Sequence, residues 1–240
     1  MLSLVVGASG ATGRLLVEQL LQRGHHVRAV VRSADKLPDS LRNSQQLNVI
    51  ETSIYDASDT DIASMVEGCA AIASCLGHNL TLRGIFGHPR LLVTEVTRRL
   101  CEAAKASSTV APVRFVLMNT AGNSNRGLEE PISTAQRFVM QLLRLAVPPH
   151  RDNELAADYL RTAFGREGAR VEWVVVRPDS LTNANSVTEY EVHSSPIRSA
   201  IFDPGKTSRM NTAHFMSQLI TDDKVWLEWS GKMPVIYNVE

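Results

Sequence analysis

Short apolar runs alternate with amphipathic segments along the first half of the chain. The apolar run Leu2–Val6 predicts a buried strand, and Thr12–Arg23 carries leucines at helical spacing before Gly24, which predicts a helix that ends there. The same alternation repeats towards the middle of the sequence. Strands that alternate with helices in this way are typical of βαβ units and therefore of a parallel sheet.

The same two periodicities assign the other elements. Further strands are predicted over Val27–Val31, Leu47–Ile50, Ala70–Leu76, Val113–Met118, Val171–Val176 and Val235–Asn238. Further helices are predicted over Asp59–Val66, Pro89–Ser107, Ser133–Leu145, Arg151–Ala163 and Thr212–Ile220. We expect Asn211 to cap the last of these helices, and Pro148 and Pro149 to stop the chain before the Arg151 helix.

Residues 178–210 are rich in serine, asparagine and proline, and they predict a long loop with short strands. No linker divides the chain, and no internal repeat is visible. We therefore expect one α/β domain over residues 1–240 with a doubly wound parallel sheet. Residues 178–240 are expected to form a small C-terminal elaboration on the substrate side of that domain.

A glycine-rich turn, Gly-Ala-Ser-Gly-Ala-Thr-Gly, lies directly between the first strand and the first helix. Its glycines are Gly7, Gly10 and Gly13. They would permit a tight turn, a close approach of the backbone to a pyrophosphate, and close packing of helix on strand. The helix N-terminus offers N–H groups to a phosphate, and Ser9 and Thr12 add hydroxyl donors. The turn predicts a dinucleotide site, and the alternative is a glycine-rich turn without a ligand.

The end of the second strand indicates which dinucleotide is bound. NAD-binding sites tend to carry an acidic residue there, which bonds the ribose 2′-hydroxyl. This strand instead runs into Arg32, whose guanidinium suits a 2′-phosphate. Arg14 and Lys36 are further candidates. The sequence therefore favours NADP(H) over NAD(H), and the alternative for Arg32 is a solvated residue at a strand end.

Composition narrows the possible partners. Twenty-five basic and 25 acidic residues give the 240-residue chain a formal net charge of zero, which argues against broad electrostatic binding to nucleic acid or to a membrane. The three cysteines form no CxxC pair, and no segment has eighteen consecutive apolar residues. We expect reduced thiols, a small-molecule substrate and a cytoplasmic location.

The residues Gly7–Gly13, Arg32 and the Val-Val-Val-Arg-Pro run at 174–178 resemble the atypical short-chain dehydrogenase/reductases, in particular their NmrA-like and flavin/biliverdin-reductase-like members. The resemblance implies a Rossmann-like fold with NADP(H) at the carboxyl ends of the strands and a substrate over the nicotinamide. The cofactor-binding residues that it implies are Gly7, Ser9, Gly10, Ala11, Thr12, Gly13, Arg32, Ser53, Ile54, Cys75, Leu76, Gly77, Thr120 and Pro178.

The Tyr-x-x-x-Lys dyad of typical short-chain dehydrogenases is absent, because no lysine occurs between Lys105 and Lys206, where the dyad would lie. The residue that we select as proton donor is His150, since histidine exchanges protons near neutral pH. Alternatively, His150 pairs with Glu154 and is idle, or water supplies the proton. Arg151 and Tyr159 are weaker candidates, and Tyr159 has the helical spacing of a core residue.

The loop at residues 78–88 follows the fourth strand and has two interpretations. It contacts the substrate, or it is an ordinary surface connection. The sequence has no HxH, HExxH or Cys/His cluster, so we expect no metal. The leading hypothesis is an NADPH-dependent reductase of a small acceptor. The alternative is a non-catalytic redox-sensing regulator that binds NADP(H) and acts through a protein partner; a nucleotide-dependent isomerase ranks below both.

Overall fold

A computed structural model describes residues 1–78, 81, 87–130, 133–164 and 169–239. The strands are β1 (Leu2–Val6), β2 (His26–Val31), β3 (Leu47–Glu51), β4 (Ala71–Ser74), β5 (Val113–Met118), β6 (Val171–Pro178), β7 (Ser180–Thr182), β8 (Tyr190–His193), β9 (Lys206–Ser208) and β10 (Val235–Asn238). The α-helices are α1 (Ala11–Gln22), α2 (Asp39–Arg42), α3 (Asp59–Val66), α4 (Leu92–Ala106), α5 (Thr134–Ala146), α6 (Pro148–Ala163), α7 (Arg209–Thr221) and α8 (Asp223–Trp229).

The central sheet has the strand order β3-β2-β1-β4-β5-β6-β10-β8. Strands β3 to β10 along this order are parallel, and β8 is antiparallel to β10. The chain builds outwards from β1 to β3, then crosses to the other side of β1 and continues with β4. The carboxyl ends of β1 and β4 therefore flank the crevice in which doubly wound sheets bind ligands. The predicted α/β, Rossmann-like fold with a parallel sheet is confirmed.

Apolar side chains cover both faces of the sheet, because successive strand residues point to opposite faces. On one face, Leu4, Ile72 and Phe115 pack against helices α3, α4 and α6. On the other, Val5 and Val116 pack against α1, α7 and α8. The continuous apolar runs that predicted these strands reflect burial on both faces.

Most predicted elements occur within a few residues of their expected bounds, with two corrections at helix ends. The last long helix begins at Arg209, and its cap is Ser208, whose hydroxyl accepts a bond from the Asn211 N–H at 2.9 Å. The predicted Asn211 cap is wrong because its amide donates to Thr188 and Asn238 instead.

The second correction concerns the prolines before the Arg151 helix. Pro148 and Pro149 do not stop the chain but form the first turn of α6. Proline is tolerated there because the first N–H groups of a helix have no intrahelical partner. The sequence pattern does not predict α2, α8 or the 3₁₀ turn Ala34–Lys36, all of which are short. Within the described ranges, no helix is both long and apolar enough to span a bilayer.

The predicted loop at 178–210 contains three short strands. β7 and β9 pair in parallel as a separate two-stranded sheet, and β8 joins the edge of the main sheet through β10. The assignment of residues 178–240 to a substrate-side subregion of a single domain stays a prediction.

Candidate functional site

The glycine-rich turn leaves β1 in a conformation that depends on glycine. Gly7 has φ +73°, and a Cβ on it would lie 2.7 Å from the carbonyl carbon and oxygen of Cys75. A Cβ on Gly13 would lie 2.2 Å from the Gly7 carbonyl oxygen, and one on Gly10 would lie 3.1 Å from the same atom. Side chains at Gly7 and Gly13 are therefore excluded by protein backbone, and the turn packs directly against the exit of β4.

The turn presents the N-terminus of α1 at the carboxyl edge of the sheet. Gly10 is the N-cap, no described side chain bonds the cap, and the first turn carries no acidic residue. Gly10 and Ala11 are exposed, Ser9 is half-buried and Thr12 is buried. An uncapped helix start with positive dipole and free N–H groups fits a phosphate.

The exit of β4 lies beside this turn. Cys75 is buried, and burial raises the pKa of its thiol to about 12, so it stays protonated and unreactive. Leu76 is half-buried and Gly77 is exposed. A Cβ on Gly77 would meet no described atom within 4 Å, and the φ of this residue is not positive. No described residue requires glycine at position 77, which leaves the space on that side open to a ligand as far as the described chain goes.

Arg32 follows β2 directly and is exposed. In the parts of the chain that the structure describes, its guanidinium makes no hydrogen bond or ion pair, and the same holds for Arg14. By contrast Arg42, on α2, pairs with Asp35 and Asp39. A cation at the end of β2 without a partner among the described residues fits a 2′-phosphate.

Beyond β3, Ser53 is half-buried, whereas the side chain of Ile54 packs in the core with α3 and α4. The Ser53 carbonyl accepts bonds from the Asp56 and Ala57 N–H groups, which makes a tight turn. Only Ser53 therefore presents a partly exposed side chain at the predicted adenine position, and both residues stay predictions.

An asparagine cluster fixes the exit of β5. The Asn119 side chain donates to the Asn153 carbonyl of α6 at 2.9 Å and accepts from the Thr120 N–H at 2.9 Å. Asn123 donates to the same Asn153 carbonyl at 3.3 Å. These bonds fix the backbone of Thr120, whose half-buried hydroxyl accepts from the Gly122 N–H.

Hydrogen bonds of Pro178 and Arg177 fix the exit of β6. Pro178 ends the strand, and its carbonyl accepts from the Ala121 N–H at 2.9 Å, so the β5 and β6 exits lie side by side. Arg177 is fully buried and donates to Glu130, Asn123 and the Met233 carbonyl at 2.7–2.8 Å. The arginine of this Arg-Pro turn thus stabilises the site's walls instead of binding a ligand.

His150 lies at the start of α6, 3.4 Å from the Glu154 carboxylate, with 11% of its side chain exposed. Burial alone would raise the pKa of Glu154, but His150 and Arg144 outweigh it and lower the pKa from 4.5 to about 2. His150 and Glu154 lie about 200° around the helix from Asp152, which faces β4 and α4. The structure therefore brings His150 to α5 and Glu154, and its predicted role as proton donor stays a prediction.

A buried pair that the sequence does not reveal joins His78 to Asp152, whose Nε2 and Oδ2 atoms are 2.7 Å apart. His78 directly follows Gly77, and Asp152 belongs to α6. The sequence marked residues 78–88 only as a possible substrate loop; of these, 79–80 and 82–86 lie outside the described residues. The two members of the pair are 74 positions apart, so no local spacing signals it.

Comparisons with known proteins agree with this geometry. A family model described as NAD(P)H-binding matches residues 7–223. An uncharacterised chloroplastic protein of Arabidopsis thaliana is 38% identical over 55 residues, which are 23% of this chain and 20% of that protein. The chain spans about a fifth of the length of the curated relatives it matches.

Two solved structures show the same fold over the whole chain. A Streptococcus pneumoniae protein proposed to be an NADH-flavin reductase has a TM-score of 0.68 and 18% identity, with 100% of both chains covered. A short-chain dehydrogenase/reductase of Veillonella parvula in complex with NADP has a TM-score of 0.69 and 14% identity, with 99% of this chain and 94% of that chain covered. At these identities the likeness concerns the fold.

Proposed function

Since the chain belongs to the NAD(P)H-binding family, we propose that it is an NADPH-dependent reductase of a small acceptor of the carbonyl, quinone or flavin type. The glycine turn and the uncapped N-terminus of α1 would hold the pyrophosphate. Gly77, Thr120 and Pro178 line the edge where the nicotinamide would lie. When bound, NADPH supplies the hydride.

The observation that carries the choice of NADP over NAD is Arg32. Its guanidinium is exposed and is not bonded to any described residue, at the strand end where NAD sites tend to place an acid. A dianionic 2′-phosphate would give this arginine a bidentate partner, whereas a 2′-hydroxyl would not. The Glu51 carboxylate, which lies at the end of β3, is bonded to the Ala34 N–H at 2.9 Å and fixes the turn that follows Arg32.

The remaining expectations are weaker proposals. All three cysteines are free and buried, which supports a reducing compartment, and a cytoplasmic location stays a prediction. No group of three or more metal-ligating side chains occurs among the described residues. The absence of nucleic-acid and membrane partners also stays a prediction.

The test measures NADPH and NADH affinity by fluorescence titration, and then NADPH oxidation with a panel of aldehydes, quinones and free flavins. We expect wild type to prefer NADPH, and Arg32→Ala to lose on the order of tenfold or more of NADPH affinity while NADH binding is unchanged. Arg42→Ala is the matched control, because it removes a nearby guanidinium that is already paired. Equal affinity of wild type for both nucleotides would refute the NADP assignment. Tight NADPH binding without turnover of any acceptor would refute the reductase and leave the regulator.

A further inference from the structure

A second cleft lies between α1 and α7, away from the nucleotide edge. It has a volume of about 420 Å³, and its walls are the second half of α1, the start of α7 and the loop at residues 185–187. This volume falls in the range of roughly 300–1,000 Å³ that small-molecule sites occupy. Arg23 lines the cleft and is the C-cap of α1, about 20 Å along the helix from the N-cap Gly10. The cleft is therefore separate from the proposed cofactor site.

Hydrogen bonds between side chains hold the walls of this cleft together. Gln19 of α1 is buried, and its amide donates to the Met210 carbonyl of α7 at 3.2 Å. Asn211 of α7 accepts from the Thr188 N–H at 2.9 Å and donates to the Thr188 hydroxyl at 2.9 Å. The first bond joins the two helices, and the other two join the loop to α7. The cleft is therefore formed without a ligand.

Two opposite charges line the cleft. Glu18 is half-buried, Arg23 is exposed, and both belong to the wall that α1 contributes. Among the described residues, neither side chain has a hydrogen-bond or ion-pair partner, so the two do not pair with each other. Their Cα atoms are about 7.5 Å apart along the helix axis. A ligand with one negative and one positive group would give a partner to both.

His214 of α7 adds a hydrogen-bond acceptor to the same cleft. The carbonyl oxygen of the Gln218 amide can only accept, so the Tyr190 hydroxyl donates to it at 2.7 Å and accepts from His214 Nδ1–H at 2.8 Å. Burial and the nearby Arg23 guanidinium lower the pKa of His214, so the ring is neutral at pH 7 and Nε2 carries a lone pair. Nε2 has no partner among the described residues, and because it is not buried it remains accessible in the cleft that His214 lines.

We propose that this cleft binds a small zwitterion of the amino-acid class with an apolar side chain. The carboxylate of the ligand accepts from the Arg23 guanidinium, and its ammonium group donates to the Glu18 carboxylate and to His214 Nε2. The side chain of the ligand lies against Val187 and Met210, which are the apolar residues of the walls. Binding needs no nucleotide, so the site is independent of the proposed reductase function.

The first experiment titrates the full chain by calorimetry with L-leucine, L-methionine and L-phenylalanine, with and without NADPH. We expect at least one of them to bind in both conditions. Isocaproate and isoamylamine, which are leucine without its ammonium group and without its carboxylate, should bind on the order of tenfold more weakly than L-leucine or worse. Absence of binding of all three amino acids at millimolar concentration would overturn the proposal. Equally tight binding of isocaproate would overturn the role of the ammonium group.

The second experiment removes the two charges of the cleft one at a time. Arg23→Gln and Glu18→Gln should each lose on the order of tenfold in affinity for the tightest amino acid, with NADPH affinity unchanged. Lys224→Gln and Glu228→Gln are the matched controls, because they remove exposed charges of the same signs on α8, outside the cleft. Wild-type affinity in both cleft variants, or equal losses in the controls, would overturn the assignment.

The third experiment concerns His214. Nitrogen NMR of the free protein should show the proton of the neutral ring on Nδ1, and the Nε2 resonance should shift when the amino acid is added. His214→Phe keeps an aromatic ring beside Tyr190 and removes the acceptor, so it should lose affinity, with urea unfolding as the check on its fold. A proton on Nε2 of the free neutral ring would overturn the acceptor role. Failure of wild type to oxidise NADPH would refute the reductase and leave this site untouched.

Discussion

Gly77 offers a direct test of where the cofactor lies, because no described residue explains why this position is glycine. An alanine methyl group at this position would meet no described atom within 4 Å, and the backbone has no positive φ. Gly77→Ala should therefore fold normally, and it should gain about 0.4–1 kcal/mol because alanine restricts the unfolded chain. Against a bound nucleotide the same methyl group overpacks the crevice. Overpacking costs about 1–3 kcal/mol, which corresponds to a loss of roughly 5- to 150-fold in NADPH affinity.

The measurement pairs urea unfolding with fluorescence titration of NADPH for two variants. Gly13→Ala is the matched comparison, since its methyl group would lie 2.2 Å from the Gly7 carbonyl oxygen and must damage the fold itself. We expect Gly77→Ala to lose affinity and keep stability, and Gly13→Ala to lose both. A Gly77→Ala protein that binds NADPH like wild type would refute the placement of the nucleotide over β4, and an unstable one would refute the open space.

Two further predictions concern buried charges. Arg177→Met leaves the Glu130 carboxylate, whose side chain is 1% exposed, without its guanidinium partner, so we expect the free energy of unfolding in urea to fall by about 3–5 kcal/mol. Adding Glu130→Gln should recover part of this loss. Arg98→Met breaks only the exposed pair with Glu95 and should cost less than about 1 kcal/mol, so equal losses in the two variants would contradict the reasoning. The folded-state pKa of Glu154, about 2, lies below the ordinary 4.5, so its stabilising contribution is complete above pH 4.5 and is lost as pH falls towards 2. This contribution amounts to at most about 3 kcal/mol. When pH falls from neutral to acidic, the free energy of unfolding of Glu154→Gln should therefore decrease by that much less than the free energy of unfolding of wild type. The same pH dependence in both proteins would contradict the prediction.

The strands could be predicted from the sequence because burial on both faces makes them continuous apolar runs. Val113–Met118 and Val235–Asn238 occur with the predicted bounds for this reason. Helix ends were less accurate, since they depend on which polar side chain reaches the first N–H groups. Ser208 and Asn211 are both good capping residues, and only the contacts of Asn211 with Thr188 and Asn238 decide between them.

In the candidate site, too, local features could be predicted from the sequence and long-range contacts could not. The glycine turn and Arg32 are local signals, since a strand, three glycines and a helix start within a short stretch define a phosphate cradle. The bonds that hold the site together join distant segments, such as Arg177 to Glu130 and Asn119 to the Asn153 carbonyl. Periodicity and spacing carry no information about such contacts, because the contacts depend on the order of the strands in the sheet.

The absence of the Tyr-x-x-x-Lys dyad has a different meaning once α6 is placed in the fold. A helix without the Tyr-x-x-x-Lys pair suggests a site without its usual acid, and therefore a protein that binds a nucleotide without turning anything over. Yet α6 still holds the exits of β4 and β5, through the Asp152 carboxylate and the Asn153 carbonyl. The helix therefore keeps a structural role at this edge of the sheet without the dyad. A structural role of this kind is open to a reductase and to a regulator alike, so whether wild type oxidises NADPH with any acceptor decides between the two.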